Sequence, residues 1–170
     1  DVPKIDALIE NATIAQVATQ QFTKDGFESQ LGTNHYGHFL LTRLIFDRLV
    51  ECHARIVVVG NNGHKMGLKR PQFDDMNFDS NYNPHITYCH SKFVQMMFAY
   101  ELERRVATAD LPVSVHVCHP GTARTTLSKE EANRMTKILF TLLSPLAQSA
   151  ERGAWPEVLC ATQQNLKPAA

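Results

Sequence analysis

The spacing of hydrophobic residues along this chain alternates between two patterns. Short runs of apolar, often β-branched residues predict three buried strands, at 5–9, 54–60 and 112–118. Apolar residues three or four positions apart predict two long amphipathic helices, at 25–51 and 85–108, and two shorter ones near 129–143 and 148–161. Strands that alternate with helices in this way need right-handed crossovers. The sequence therefore predicts an α/β fold with a three-stranded parallel sheet.

The segments that follow the strands are where we expect a functional site. In open α/β sheets, ligands bind beyond the carboxyl ends of the strands. These ends come just after Ile9, Gly60 and Val117. Polar residues in those segments, and on the helices that begin near them, are therefore the candidates for chemistry.

Composition restricts the kinds of partner. The 17 basic residues balance 17 acidic ones, so no excess charge indicates nucleic acid. No apolar stretch approaches the roughly 18 residues that a membrane span needs. The four cysteines contain no CxxC pair, which argues against a zinc site and predicts no metal: Cys52, Cys89, Cys118 and Cys160. We expect reduced, mostly buried thiols in an intracellular, cytoplasmic protein whose residues 1–170 form one domain.

Tyr88 and Lys92 are four residues apart at the start of a predicted helix and therefore share one face. A phenol is a poor acid near neutral pH, and an ammonium group held nearby favours its ionised form. Such a pair can exchange a proton with a substrate oxygen. A tyrosine and a lysine at this spacing also occur by chance on the surface of many helices, so the pair alone does not decide the function.

Asn34 lies inside the first long helix, between Gly32 and Gly37. Asparagine competes for backbone hydrogen bonds and is a mediocre helix former. The pattern predicts either a local kink able to hold a water or a plain solvent-facing side chain. The segment 119–125 (HPGTART) follows the third strand and offers free backbone groups and a hydroxyl, or is simply a turn that ends the strand.

Together these residues resemble the short-chain dehydrogenase/reductase family over nearly the whole chain. The likeness is greatest to its retinol-dehydrogenase-like and protochlorophyllide-reductase-like branch, including bacterial members. Four segments carry it, in the family's order: 23–28 with 32–42 (TKDGFE and GTNHYGHFLLT), 88–92 (YCHSK), 119–125, and 148–154 (QSAERGA). The resemblance implies a partial, three-layer Rossmann-like fold that lacks the N-terminal βαβ dinucleotide-binding half.

The resemblance also implies a role for each matching residue. Tyr88 would be the acid/base, and Lys92 would lower its pKa and hold the nicotinamide ribose. Asn34 would anchor the water of a proton relay that runs through Lys92. Cofactor contacts would come from the segments after the first and third strands: Asn11, Ala12, Pro120, Gly121 and Thr125. The implied reaction is hydride transfer between NAD or NADP and a small, lipophilic alcohol or carbonyl compound.

Three features depart from the family's pattern. Asn61 follows the second strand where the family has its catalytic serine. The family's NNAG appears as residues 10–13 (ENAT), and we expect Glu10 to put a carboxylate near the cofactor. No TGxxxGIG-like loop, which would bind the pyrophosphate at a helix amino terminus, occurs in these residues.

Two functions remain open. The first is an oxidoreductase of which this chain is a fragment, inactive by itself. The second is a catalytically inactive, family-derived structural or binding subunit. In either case we expect a homo-oligomer or a partner subunit to cover the exposed apolar flank, because an uncovered sheet edge invites association. Residues 64–83 and 126–145 would select the substrate. The apolar ones either form a lid or pack a helix onto the core: Leu127, Ile138, Leu139, Phe140, Leu142 and Leu143.

Overall fold

The computed structural model describes residues 3–62, 67–121, 138 and 147–169. Its elements follow in this order: β1 (Ala7–Glu10), α1 (Ser29–Leu31), a π-helical segment (Gly32–Tyr36), α2 (Gly37–Glu51), β2 (Arg55–Val59), a 3₁₀ turn (Phe73–Asp75), α3 (Pro84–Thr108), β3 (Ser114–Cys118) and α4 (Ala150–Thr162). The helix predicted near 129–143 and the contact residue Thr125 lie outside the described residues, apart from Ile138.

The three strands form one parallel sheet in the order β1-β2-β3, as predicted. Ala7 pairs with Arg55 and Glu10 with Val58, while Val59 pairs with Cys118. All three strands therefore end at the same edge of the sheet. The other long edge of β1 has no partner strand among the described residues.

Helices cover both faces of the central strand. One face of β2, with Ile56 and Val58, packs into a core with Leu49 of α2 and Ala99 of α3. The opposite face, with Val57 and Val59, packs with Cys118 and with Cys160 of α4. This explains why β2 reads as an uninterrupted apolar run, since a strand buried on both faces needs no polar alternation. The fold is therefore α/β with three layers, as expected.

The first long helix begins at Ser29, four residues later than predicted. Gly26 has a φ of +82°, a left-handed conformation that stops a helix from starting before it. Glu28 then caps the helix, because its carboxylate accepts from the backbone N–H groups of Gln30 at 2.9 Å and Leu31 at 2.8 Å. The prediction placed the start at residue 25 because Phe27 fits the apolar periodicity.

The surface of the helices carries apolar side chains. All four cysteines are free thiols, and only Cys52 is not fully buried. No helix in the described part of the chain is long and apolar enough to span a membrane. The exposed large apolar residues of the long helices and of α4 are Phe39, Leu40, Leu41, Leu44, Met97, Tyr100, Trp155, Val158 and Leu159.

Candidate active site

The start of α3 sets the position of Tyr88 and Lys92. Asn83 caps the helix by accepting from the N–H groups of His85 and Ile86, both at 3.0 Å, and Pro84 occupies the first turn, where its missing N–H does no harm. Tyr88 and Lys92 follow on one face of the helix. Their side chains are buried, with only 7% and 2% of the surface exposed.

The Lys92 ammonium group reaches the carboxyl edge of the sheet. It donates to Thr13 Oγ1 at 2.9 Å, to the carbonyl of Val59 at 3.2 Å, and to Gln95 Oε1 at 3.0 Å. All three acceptors are neutral oxygens. Burial disfavours the charged form and lowers the pKa of Lys92 to about 8, and no carboxylate bonds to it in the described part of the chain.

Tyr88 is buried beside Lys92 on the same helix. Its side chain packs against Ala15, in the loop that follows β1, and against Cys89. Burial, with a smaller effect of Cys89, raises the pKa of Tyr88 to about 12. In this structure the Tyr88 pKa is thus raised and not lowered, contrary to what the resemblance implied, because desolvation of the phenolate is the largest influence.

Asn34 is fully buried, so the solvent-facing interpretation is wrong. Its amide group accepts from the N–H of Ile14 at 2.9 Å and donates to the carbonyl of Ile14 at 3.0 Å and to Ser91 Oγ at 2.8 Å. The side chain therefore ties the loop after β1 to α3. Its backbone carbonyl lies 3.1 Å from Nδ1 of His38.

The irregularity predicted around Asn34 is a π-helical segment. The N–H of Gly37 donates to the carbonyl of Gly32, five residues earlier, where an α-helix would use a residue four earlier. Both glycines bring the chain close to a neighbouring group there. A Cβ at Gly32 would lie 2.5 Å from the Thr23 side chain, and one at Gly37 would lie 3.3 Å from the Gly32 carbonyl. Such segments are frequent at functional sites.

The segment after β1 contains one correction. Glu10 is buried, and its carboxylate accepts from Thr42 Oγ1 of α2 at 2.5 Å, so the expectation that it faces a cofactor is wrong. Burial raises the pKa of Glu10 to about 6, although the bond from Thr42 opposes this. Asn11 and Ala12 are exposed beside it.

The other predicted site residues follow β2 and β3. Asn61 is half-buried directly after Gly60, whose N–H donates to the carbonyl of Cys118 at 2.8 Å. The sequence also predicts that the Asn61 amide faces the same point as the Tyr88 hydroxyl, and this convergence stays a prediction. Pro120 accepts a hydrogen bond from the side chain of Gln148, and Gly121 is exposed with a φ of +70°.

Three residues of this cluster were not predicted as site residues: Thr13, His38 and Gln95. Gln95 is fully buried three residues after Lys92, and its Nε2 lies 3.1 Å from His38 Nδ1. His38 is four residues after Asn34. Side chains three or four residues apart on a helix are neighbours, so this spacing from a suspected site residue was the available signal. Thr13 lies in a loop, where the sequence contains no such regular spacing from a suspected site residue.

Comparison with known proteins finds similar chains, although no protein-family model matches this one. Human retinol dehydrogenase 12 is 36% identical over 166 residues, which are 97% of this chain and 50% of that protein. Human polyprenol dehydrogenase is 34% identical over 170 residues, which are 96% and 50%. The chain therefore spans about half the length of the curated relatives it matches.

Solved structures give the same result. A protein from Mycobacterium paratuberculosis has a TM-score of 0.72 and 34% identity, over 98% of this chain and 53% of the other. An alcohol dehydrogenase from the archaeon Thermococcus sibiricus, complexed with 5-hydroxy-NADP, has a TM-score of 0.63 at 10% identity, over 98% and 61%, and shows the fold alone. From the motifs, the fold and these relatives, the chain belongs to the short-chain dehydrogenase/reductase family of oxidoreductases, with retinol-dehydrogenase-like homologues.

Proposed function

We propose that the polypeptide containing this chain is an NAD(P)-dependent oxidoreductase that interconverts a lipophilic alcohol and its carbonyl compound. The observation that carries the proposal is the position of Lys92. A buried ammonium group, whose partners among the described residues are all neutral oxygens, reaches from α3 to the ends of β1 and β2, one helical turn from a buried tyrosine. Strongly perturbed groups that cluster at a sheet edge favour a catalytic site.

The residues of this chain fit the nicotinamide-ribose end of such a cofactor. A ribose hydroxyl is an acceptor of the same kind as Thr13 Oγ1, and could take that hydroxyl's place on the Lys92 ammonium. Asn11, Ala12 and Gly121 are exposed in the segments that follow β1 and β3. The pyrophosphate would need a glycine-rich loop, and these 170 residues contain none.

The protein's own part in the reaction is proton transfer and orientation. The bound cofactor supplies or accepts the hydride. In carbonyl reduction, the Tyr88 phenol donates its proton to the carbonyl oxygen, and the phenolate left behind is stabilised by the charge of Lys92. A pKa near 12 keeps Tyr88 protonated at neutral pH, which is the state that this step needs. Asn61 would donate a hydrogen bond to the same oxygen in the place of the family's serine.

The names of two relatives support the substrate class. Retinol and polyprenol are both long apolar alcohols. The segment 67–83 is held against α3, because the N–H of Gln72 donates to His90 Nε2 at 3.1 Å. This segment would then form part of the wall that selects the substrate.

A structural or binding subunit is the second candidate, and two observations favour it. Asn61 replaces the serine that usually polarises the carbonyl. Thr13 occupies a donor of Lys92 that a ribose would need. Under this candidate, none of the catalytic substitutions changes any turnover.

The test uses the protein encoded by the full open reading frame that contains this chain. Retinaldehyde is the carbonyl probe, and the oxidation of NADH or NADPH is monitored by fluorescence. Tyr88→Phe should abolish turnover and Asn61→Ser should raise it. Tyr100→Phe is the matched control, because Tyr100 lies on the same helix with 47% of its surface exposed, and it should leave turnover unchanged. A protein that binds neither cofactor and gains nothing from Asn61→Ser is not an oxidoreductase.

A further inference from the structure

A line of buried polar side chains connects Lys92 to the backbone of the π segment. Lys92 Nζ lies 3.0 Å from Gln95 Oε1, Gln95 Nε2 lies 3.1 Å from His38 Nδ1, and His38 Nδ1 lies 3.1 Å from the carbonyl of Asn34. Each of the four residues is at most 6% exposed. The line joins α3 to α2 across the interior and uses one nitrogen of His38 in two contacts.

The chemistry of the donors fixes the direction of this line. An ammonium group has donors only, so the Gln95 oxygen must face Lys92 and its amino group must face His38. Nδ1 of His38 then has to accept, which puts the ring proton on Nε2. With that tautomer, however, Nδ1 and the Asn34 carbonyl are two acceptors 3.1 Å apart, and no hydrogen bond joins them.

The opposite tautomer satisfies Asn34 but not Lys92. With its proton on Nδ1, His38 donates to the Asn34 carbonyl, and the Gln95 amide must turn over to present its oxygen. Its amino group would then face the Lys92 ammonium, donor against donor. That arrangement becomes favourable only when Lys92 is an uncharged amine, which can accept.

We propose that His38 and Gln95 are positioning residues for Lys92, and that the charge of Lys92 selects the tautomer of His38 through the orientation of the Gln95 amide. This inference rests on the proposed function in so far as Lys92 serves catalysis. While Lys92 is charged, Gln95 holds one of its three protons and His38 holds Gln95. When Lys92 loses a proton, the amide turns and His38 donates to Asn34.

The surroundings of His38 allow this coupling. Among the residues that the structure describes, Lys92 of α3 and His35 of the π segment are the titratable groups that interact with it, and Glu10 of β1 bonds to Thr42 one turn along the same helix. Burial first, and then the Lys92 charge, lowers the pKa of His38. Burial lowers the pKa of His35 to about 4, so both imidazoles are neutral at pH 7 and a tautomer is defined.

The direct test is nuclear magnetic resonance of the protein encoded by the full open reading frame, labelled with ¹⁵N-histidine. Two-bond ¹H–¹⁵N correlations distinguish the two tautomers of each histidine. The His38 signals are assigned by their loss in His38→Asn. We expect the Nε2–H tautomer at pH 7, a change toward Nδ1–H above pH 8, and Nδ1–H at pH 7 in both Gln95→Leu and Lys92→Met. A wild-type His38 with Nδ1–H at pH 7, or a tautomer that Gln95→Leu leaves unchanged, overturns the proposal.

A kinetic test separates positioning from folding. His38→Leu removes the acceptor for Gln95 and should lower kcat about tenfold with little change in KM, the size of one lost hydrogen bond. His38→Asn keeps an acceptor near Nδ1 and should retain most of kcat. His116→Leu is the control, because His116 is a buried histidine on β3 that pairs with Ser114 at 3.0 Å.

If kcat falls equally in His38→Leu and His38→Asn, or equally in His38→Leu and the His116→Leu control, the role of His38 is structural and the proposal is overturned. The two hypotheses fail separately. An inactive wild-type protein refutes the proposed function, while the tautomer measurement still decides the coupling between Lys92 and His38.

Discussion

Replacing Lys92 with methionine should change how the stability of the protein depends on pH. The pKa of Lys92 falls from its ordinary 10.5 to about 8 because the ammonium group is buried. Between these values the folded protein has shed the proton and the unfolded chain still binds it, so the free energy of unfolding rises with pH in this window. At about 1.4 kcal/mol for each tenfold change in proton affinity, the full effect is about 3 kcal/mol.

The assay is urea unfolding of the full open reading frame at pH 7 and pH 10, for the wild type and for Lys92→Met. The unfolding free energy of the wild type minus that of Lys92→Met should be between about 2 and 3 kcal/mol larger at pH 10 than at pH 7. The three acceptors that Met leaves without Lys92 affect both pH values alike and cancel. Lys24→Met, at an exposed position, is the control and should show no such change. A constant or falling difference would show that the Lys92 ammonium is not held in a desolvated site.

Three further predictions concern single side chains. The pKa of Glu10 is about 6 in the folded protein and its ordinary 4.5 in the unfolded chain, so the wild type loses stability as the pH rises through this window. Glu10→Gln does not titrate, and its unfolding free energy relative to the wild type should be about 2 kcal/mol higher at pH 7.5 than at pH 4.5, measured by urea unfolding. Thr13→Val frees one N–H donor of Lys92 and should tighten NADPH or NADH binding roughly three- to tenfold in a fluorescence titration. Thr19→Val, in the same loop, is the control and should not tighten binding. Weaker binding in Thr13→Val would refute the exchange of Thr13 for a ribose hydroxyl. Leu49→Ala opens a cavity beneath the sheet and should lower the unfolding free energy by about 2–5 kcal/mol, and a loss below about 1 kcal/mol would contradict the core assignment.

The sheet and the helices could be predicted because local periodicity determines them. The apolar run 56–59 is buried on both faces, and α3 begins at Pro84, one residue before the predicted start. The start of the first helix could not be read from periodicity, because Phe27 fits the pattern. The cap at Glu28 depends on the left-handed Gly26 and on hydrogen bonds, which the apolar pattern does not record.

The site could be predicted in its identity but not in its connections. Tyr88, Lys92 and Asn34 have recognisable spacings, and the structure buries all three. Glu10 was misassigned, because a side chain at the end of a strand can face either the ligand or the helix above it, and sequence does not distinguish these. The partners of Lys92 lie in the loop after β1, on β2 and on α3 itself. Gln95 is three residues away on the same helix, but only the tertiary packing brings Thr13 and Val59 to the Lys92 nitrogen.

The π segment also limits how this helix can change in length. Bonds that run five residues back, as from Gly37 to Gly32, accommodate one residue more than an α-helical turn does. Deleting one residue there would restore the α-helical pattern with little rotation of the helix on either side, because the five residues of the π segment turn through about the same angle as four α-helical residues. The Glu28 cap and the buried Leu49 would then both keep their positions, and only the residues inside the segment would change theirs. A single-residue deletion within 32–36 should therefore leave the fold intact and displace Asn34, whereas the same deletion within α2 would rotate Leu49 by about 100° about the helix axis.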